Sequence, residues 1–573
     1  MKNHKLEVIL VNLISFDYLV RYQAPLPVNT LAGYLKINTM DAKITVTDMQ
    51  EIFNEYNSIE KNEEDSFNKT ISYTIEKIQS SAQNTPVIVG LSMKWTTQEA
   101  AAAIISGALS VASNNQVLFV IGNIMATYGY QHLLKTPEFQ NVIAVVGEGE
   151  DAIVSIVRKA LENLEDMTNL SVYREIANVV VKINGEVSVD NLKRLNLPEY
   201  PNLAVPSASD IFDKEWRVYA IETSRGCPWG MCTFCSIKKQ FGDRCRNPVK
   251  KADWKWKGFT LDKVFADIQN YINQGALVFD IKDSEFFGPM RKEGGVDPFW
   301  DSMDRVEQFA IRFGELNRKF GVTLNHVSVR IDTVVRKNET AKNARRRQVY
   351  ELLAKSGLTG VYLGIESGSE KQLKRFGKGV TVEENKMAIK ILREIGYEIE
   401  PGFIFFDPLA DMDDLYDNIN FIGESGLYKT DSRIFGSLRV QEGTTYVKML
   451  EQRGLLGKHS PESLSYSCHY QDDEVFFIKA IFDKWECATV KLVRLLPLAV
   501  RLQYYEINFL FLRDILYSYS STGQNGVKKT VIIYTMTRRN SLNAIWNTGG
   551  LLNKYLTQAK IENDALSSDI LNL

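Results

Sequence analysis

Residues Arg225 to Ser236 read RGCPWGMCTFCS and place three of the chain's six cysteines, Cys227, Cys232 and Cys235, within nine residues. The triplet follows the β-rich run VYAIETS (218–224) directly, so a strand delivers the chain into a loop of thiols. Its spacing is C-x4-C-x2-C. Three thiolates on one short loop can bind three irons of a [4Fe-4S] cluster and leave the fourth open, whereas a structural zinc or cluster site normally takes four protein ligands. The alternative is a zinc site completed by Cys245, ten residues further on.

Outward from this loop the pattern repeats. Six strand candidates, RVYAIETSRGCP (217–228), ALVFDIKDSEFFGP (276–289), VTLNHVSVRIDT (322–333), LTGVYLGIESGSE (358–370), EIEPGFIFFDPLAD (398–411) and SRIFGSLRVQEGT (432–444), alternate with helical stretches such as TVEENKMAIKILREIG (381–396). Six βα units predict a partial (β/α)6, TIM-like barrel with its chemistry at the carboxyl ends of the strands.

Before the barrel, LEVILVNL (6–13), AKITVTD (42–48), PVIVGLSM (86–93), NQVLFVIGN (115–123) and VIAVVGEGE (142–150) alternate with helical patterns. These predict a Rossmann-like, doubly wound parallel sheet whose ligand sits at the carboxyl ends of its strands. The proline-bearing stretch RLNLPEYPNLAVPSASD (194–210) reads as a linker. After the barrel the chain reads as mainly helical. The expected division is a first domain over 1–205, a barrel over 206–435 and a helical cap over 436–573.

Composition sets the surroundings. With Lys+Arg 68 against Asp+Glu 70, a net charge of -2 gives no overall reason to expect nucleic acid or an anionic membrane as partner. No segment approaches the ~18 consecutive apolar residues of a membrane span. The amino terminus reads as a strand, not an export signal, so the expected location is cytoplasmic, where clustered thiols stay reduced. The basic runs KKADWKWKG (250–258) and RKNETAKNARRRQ (336–348) read as solvated loops or helix faces.

The cysteine loop and the strands after it resemble the radical S-adenosylmethionine superfamily. That family's loop is usually C-x3-C-x2-C with an aromatic residue before the last cysteine, a place that Phe234 fills; this chain has one residue more between the first two cysteines. The resemblance implies a [4Fe-4S] cluster on the three cysteines and S-adenosylmethionine on the open iron, cleaved by one electron to a 5′-deoxyadenosyl radical. It also implies an electron donor such as flavodoxin or ferredoxin. Residue by residue, it directs Asp283, Ser284 and Glu285 toward the methionyl amine. Ser328 and Arg330 lie on the third strand, with Arg330 toward the methionyl carboxylate. Glu366, with its neighbour Ser367, matches the residues beside the ribose, and Gly402 to Ile404 the backbone beside the adenine.

The stretches PLPVNTLAGYLK (25–36), VIVGLSMKW (87–95), FVIGNIMAT (119–127) and VVGEGEDAI (145–153) resemble the cobalamin-binding-like domain that precedes the barrel in one branch of that superfamily. There Gly147, Glu148 and Gly149 form the turn from strand to helix, a turn that helix capping explains equally well. Cobalamin stays an open alternative, because none of the five histidines has the D-x-H-x-x-G setting of a lower cobalt ligand. Asn123 also stands where the related motif often has a second glycine.

These implications give two enzymatic readings. One is methyl transfer from cobalamin to an unactivated carbon of a peptide or small molecule. The other is cobalamin-free epimerisation or rearrangement of a peptide, with Cys468 of SYSCHYQDD (465–473) as hydrogen-atom donor. A non-catalytic iron-sulfur electron carrier is the third, and the strand-end polar set argues against it.

Overall fold

The computed structural model describes residues 4–14, 23–60, 62–110, 116–188, 218–237, 256–291, 295–430, 434–487 and 498–546. The linker 194–210, Cys245 and most of the basic run 250–258 lie outside the described residues.

Eight strands open the chain: β1 (Leu6–Asn12), β2 (Gln23–Ala24), β3 (Ala42–Asp48), β4 (Val87–Ser92), β5 (Val117–Gly122), β6 (Val142–Val145), β7 (Val179–Ile183) and β8 (Glu186–Ser188). Seven of them form one sheet in the order β3-β1-β4-β5-β6-β7-β8. The first five run parallel. β1 and β4 are buried along their whole length, as apolar runs covered on both faces must be.

The period-two geometry sorts their side chains. Ile9 and Val11 pack with Phe53, Ile71, Ile104 and Met125 from helices on one face. Val8 and Leu10 pack with Val28, Leu35, Ile153 and Val157 from the helices Leu26–Asn38 and Glu150–Glu162 on the other. The doubly wound sheet predicted over this region is therefore present. Its antiparallel β7–β8 edge was not expected, although Asn184 and Gly185, both at positive φ, supply the Asn-Gly hairpin turn.

The second sheet begins with β9 (Val218–Ile221), β12 (Val278–Ile281), β13 (Thr323–Arg330), β14 (Leu358–Glu366) and β15 (Glu398–Phe403), all parallel. A short antiparallel pair, β10 (Ser224–Arg225) with β11 (Lys257–Gly258), lies beside its first crossover. The sheet order is β15-β14-β13-β12-β9-β2, so a strand from the first domain pairs with β9 and fills the sixth place. The sixth predicted unit, 432–444, forms no extended strand among the described residues. It joins the barrel through the parallel bridge Phe406–Ser437 and the Leu438 N–H, which donates to the Phe406 carbonyl at 2.7 Å.

The last part is helical, as predicted, with Asp473–Cys487 and Leu498–Trp546. Trp485 stacks on Phe511 with centroids 4.0 Å apart, and both join the barrel core. An unpredicted hairpin, β16 (Leu456–Ser460) with β17 (Ser465–Cys468), precedes these helices. Leu464 in its turn packs into the core of the first domain.

Candidate active site

The base of the cysteine loop is tied down by one carboxylate. Asp283, buried just past the end of β12, accepts from the Thr223 N–H at 2.7 Å and from the hydroxyls of Thr223 and Ser224 at 2.5 and 2.7 Å. The tip is tied to the far side of the barrel. Trp229 Nε1 donates to the Gly377 carbonyl at 2.8 Å, and the Thr233 N–H to the Phe376 carbonyl at 2.9 Å. Phe234 meets Phe376 edge-on, with centroids 5.2 Å apart.

The opposing turn, Gly377-Lys378-Gly379, has both glycines at positive φ. A Cβ at Gly377 would lie 2.7 Å from the Met231 carbonyl oxygen, and one at Gly379 2.5 Å from the Trp229 ring. Only glycine lets the two segments approach this closely.

Charge gathers around the thiols. The Arg330 guanidinium lies 4.8 Å from the Trp229 ring, whose other contact is Arg291 at 3.9 Å. Burial pushes the Cys227 thiol up, with Arg330 opposing it, and pushes Cys235 up to about 12. Against burial that would raise it, the guanidiniums of Arg330 and Arg291 hold the Asp332 carboxyl down at about 2.

Glu366 sits at the end of β14 with φ +66, unusual for a residue with a side chain, and its carboxylate accepts from buried Lys378 Nζ at 2.9 Å. Its carbonyl accepts from the Ile404 N–H at 2.9 Å. A strained conformation held by partners on both sides is typical of functional positions. Burial pushes fully buried Glu285 up to about 8; its Oε1 accepts from the Phe287 N–H at 3.1 Å, and Oε2 has no hydrogen-bond partner.

The first domain contributes a cleft at the carboxyl ends of its strands, enclosing about 940 Å3 of empty space, solvent included. Aliphatic side chains such as Leu10, Leu31, Val120 and Ile153 line it together with the backbone at Gly90, Gly122, Gly147 and Gly149. Asn123 stands at its rim with φ +69, so it keeps the left-handed backbone for which glycine is the usual residue, and its amide donates to Ser92 Oγ at 3.0 Å.

Arg225, two residues before Cys227, closes the cleft from the barrel side. Its fork donates to Glu148 at 3.1 Å and Glu150 at 2.6 Å from the first domain, and its Nε to Glu222 at 2.9 Å. Burial pushes Glu222 up to about 7, against the pull of Arg225. A second tie runs from the Tyr128 hydroxyl to the Ser236 carbonyl at 2.8 Å.

Cys227, Cys232, Cys235, Phe234, Glu285, Arg330 and Glu366 thus gather at one end of the barrel, while Gly147, Glu148 and Gly149 line the cleft beside it. Several of the expected residues, Arg330 among them, are already engaged by partners of their own or lie outside this group. Arg330 spends Nε and Nη2 on Asp332 and on the Lys378 carbonyl, so its fork is not free for a methionyl carboxylate. Asp283 is consumed by the loop base, and Ser284 is exposed. Ser367 is fully buried and bonded to Gln372 and Asn418. Ser328 is bound through its carbonyl, which accepts from the Phe286 N–H at 3.0 Å. At Gly402 an added Cβ would lie 2.6 Å from the Tyr362 hydroxyl, and Ile404 packs with Phe234 and Cys468 around Tyr446 and Leu450.

Sequence reasoning missed Lys378, Trp229, Arg225 and Glu222. The glycines flanking Lys378 were the readable signal for the first; burial and pairing, which mark the others, have no sequence signature. The basic run 336–348 is largely neutralised: Arg345 pairs with Asp304 and Glu307, Arg346 with Glu339, and Arg347 with Glu351 and Glu394.

The donor set suits an iron-sulfur cluster, because soft thiolates on one loop beside cationic Arg330 and Lys378 match its ligand preference and net negative charge. Among the described residues no three His, Cys, Asp or Glu side chains could hold one metal ion, and a cluster with one iron per thiolate does not require it. The cleft suits a bulky, largely apolar ligand that brings hydrogen-bond donors, given its aliphatic walls and its excess of carboxylates.

Residues 221–422 match the Radical SAM superfamily. The chain is 25% identical over 470 residues to 4′-phospho-dehydrooxetanocin synthase of Priestia megaterium, covering 79% of this chain and 55% of that one. It thus spans about half the length of the curated relatives it matches. In fold it resembles the cobalamin-dependent S-adenosylmethionine radical enzyme OxsB, solved with aqua-cobalamin and S-adenosylmethionine bound. That likeness has a TM-score of 0.72 at 20% identity and covers 99% of this chain and 80% of that one. The radical S-adenosylmethionine methyltransferase TsrM from Kitasatospora setae, solved with cobalamin and a [4Fe-4S] cluster bound, gives a TM-score of 0.56 at 14% identity. It covers 78% of each chain.

Proposed function

We propose that this chain, a radical S-adenosylmethionine enzyme by its 221–422 domain, uses cobalamin to transfer a methyl group to an unactivated carbon of a peptide or small-molecule substrate. The observation that carries this reading is the buried contact of Arg225 with Glu148 and Glu150, which sets the cleft of the first domain directly against the cysteine loop. When bound, the cluster with S-adenosylmethionine supplies a 5′-deoxyadenosyl radical and the corrinoid supplies the methyl group.

The chain's own residues bind and orient. Cys227, Cys232 and Cys235 hold the cluster, and Arg330 and Lys378 balance its negative charge. Glu366, fixed by Lys378, presents a carboxylate beside the ribose. Glu285 keeps its proton near neutral pH and offers it to a hydrogen-bond acceptor. In the proposed division, 1–205 holds the corrinoid, 206–435 the cluster and 436–573 covers the substrate. A one-electron donor of the flavodoxin or ferredoxin kind feeds the cluster.

The test is anaerobic reconstitution with iron, sulfide and hydroxocobalamin. The expected protein carries corrin and iron-sulfur absorption together, forms 5′-deoxyadenosine under reduction, and adds about fourteen mass units to its substrate. Replacing all three cysteines by Ala removes the iron and the 5′-deoxyadenosine. Formation of 5′-deoxyadenosine by a protein that binds no corrinoid at saturating concentration overturns the cobalamin reading and leaves the radical domain standing.

A further inference from the structure

Arg225 is 6% exposed and faces three carboxylates, Glu148, Glu150 and Glu222. Glu148 and Glu150 are as deeply buried, at 5% and 4%. A single guanidinium therefore holds together two loops from separate sheets. One is the Gly147–Glu150 turn, which walls the cleft; the other is the strand end that becomes the cysteine loop at Cys227. Such a group is a poor source of stability, because desolvating the ions costs about as much as their attraction returns. It is a rigid link, however, because a buried partner that moves leaves an uncompensated charge behind. Glu150 Oε2, buried beside the cleft, has no hydrogen-bond partner, so the link also ends in an acceptor available to whatever fills the cleft.

We propose that Arg225 is a positioning residue that couples the cleft to the cysteine loop. A neutral ligand with N–H donors, seated on the Gly147–Glu150 turn, fixes Glu148 and Glu150; these fix Arg225, and Arg225 holds Cys227 in place for the cluster. Coupling of this kind is reciprocal, so a loaded cluster tightens the ligand in the cleft by the same factor. The inference rests on the cobalamin reading for the identity of the ligand, while the positioning of Cys227 stands without it.

The experiment measures the rate at which reconstituted full-length protein loses cluster iron to a chelator, with and without hydroxocobalamin. Wild type is expected to lose iron at least about fivefold more slowly with the corrinoid present, a barrier to iron loss higher by about 1 kcal/mol. R225Q is expected to lose iron faster than wild type even without corrinoid, and to gain no protection when hydroxocobalamin binds. R225Q leaves buried carboxylates unpaired and risks misfolding. R225M/E148Q/E150Q/E222Q removes the charges together, which a fold tolerates far better, and is expected to fold, bind both groups and show no protection.

The corrinoid-free arm isolates the positioning role: equal iron loss in wild type and both variants overturns it. Protection that persists in both variants overturns the coupling through Arg225 and assigns it to the Tyr128–Ser236 tie. Bound hydroxocobalamin that fails to slow iron loss in wild type overturns it as well. No binding by wild type overturns both the cobalamin reading and the coupling, while the corrinoid-free arm still decides the positioning.

Discussion

Glu366 and Lys378 form a pair in which neither member is replaceable alone. The carboxylate is held at φ +66 and the ammonium is buried, so Glu366→Gln leaves a desolvated cation without its counter-charge. The expected result is a ten- to hundredfold loss of S-adenosylmethionine affinity, from a charged hydrogen bond of about 1.5 to 3 kcal/mol, with a stability loss of similar size. Adding Lys378→Met restores the stability and not the affinity. Calorimetry on the cluster-loaded protein together with urea unfolding separates the two effects, and a single variant with unchanged affinity makes Glu366 purely structural. Cys468 calls for a different expectation. Its side chain is half-buried against the same apolar cluster as Phe234 and Ile404, and its thiol is pushed up by burial. Under methyl transfer it is packing, so Cys468→Ala retains product formation. Loss of product with 5′-deoxyadenosine formation intact favours the epimerase reading.

At the scale of elements, the cysteine loop is held by the turn it faces. The Gly377-Lys378-Gly379 turn accepts the Trp229 indole and leaves no room for a Cβ at Gly379, whose φ is +68. Gly379→Ala pushes Trp229 out from between Arg291 and Arg330, and the expected outcome is reconstituted protein with less than half the wild-type iron and an unchanged far-UV spectrum. Full iron occupancy in this variant means the loop holds its cluster without the turn. The strands were readable because buried parallel strands are continuous apolar runs, as LEVILVN and VIVGLS are. Two elements broke that rule. β2 is two residues long, too short for any periodicity, and the stretch 432–444 has a strand's composition but, among the described residues, pairs only at the isolated bridges Phe406–Ser437 and Gln441–Ser465.

At the scale of the molecule, the junction of the two sheets carries more carboxylate than guanidinium. Glu222 is pushed up to about 7 from a usual 4.5 by burial, so the folded protein holds this proton where the unfolded chain has released it. That contribution to stability is complete below about pH 4.5 and is lost as pH rises through 7. Glu222→Gln is neutral throughout, so its stability relative to wild type should rise by on the order of 2 kcal/mol between pH 5 and pH 8. Urea unfolding at the two pH values checks this, and an equal difference at both removes Glu222 from the titration.

The sequence by itself determined the parts: the two sheets, the thiol loop at the first barrel strand, and the Gly-Glu-Gly-Glu turn. Each is a local pattern of period, spacing or turn chemistry. Only the tertiary structure decided how the parts meet. It spent the Arg330 fork on Asp332, buried Ser367 in a network, set Lys378 against Glu366, and joined Glu148 and Glu150 to Arg225 across 75 or more residues. Pairings over such distances depend on which buried charges end up facing each other, and no window of sequence contains both partners.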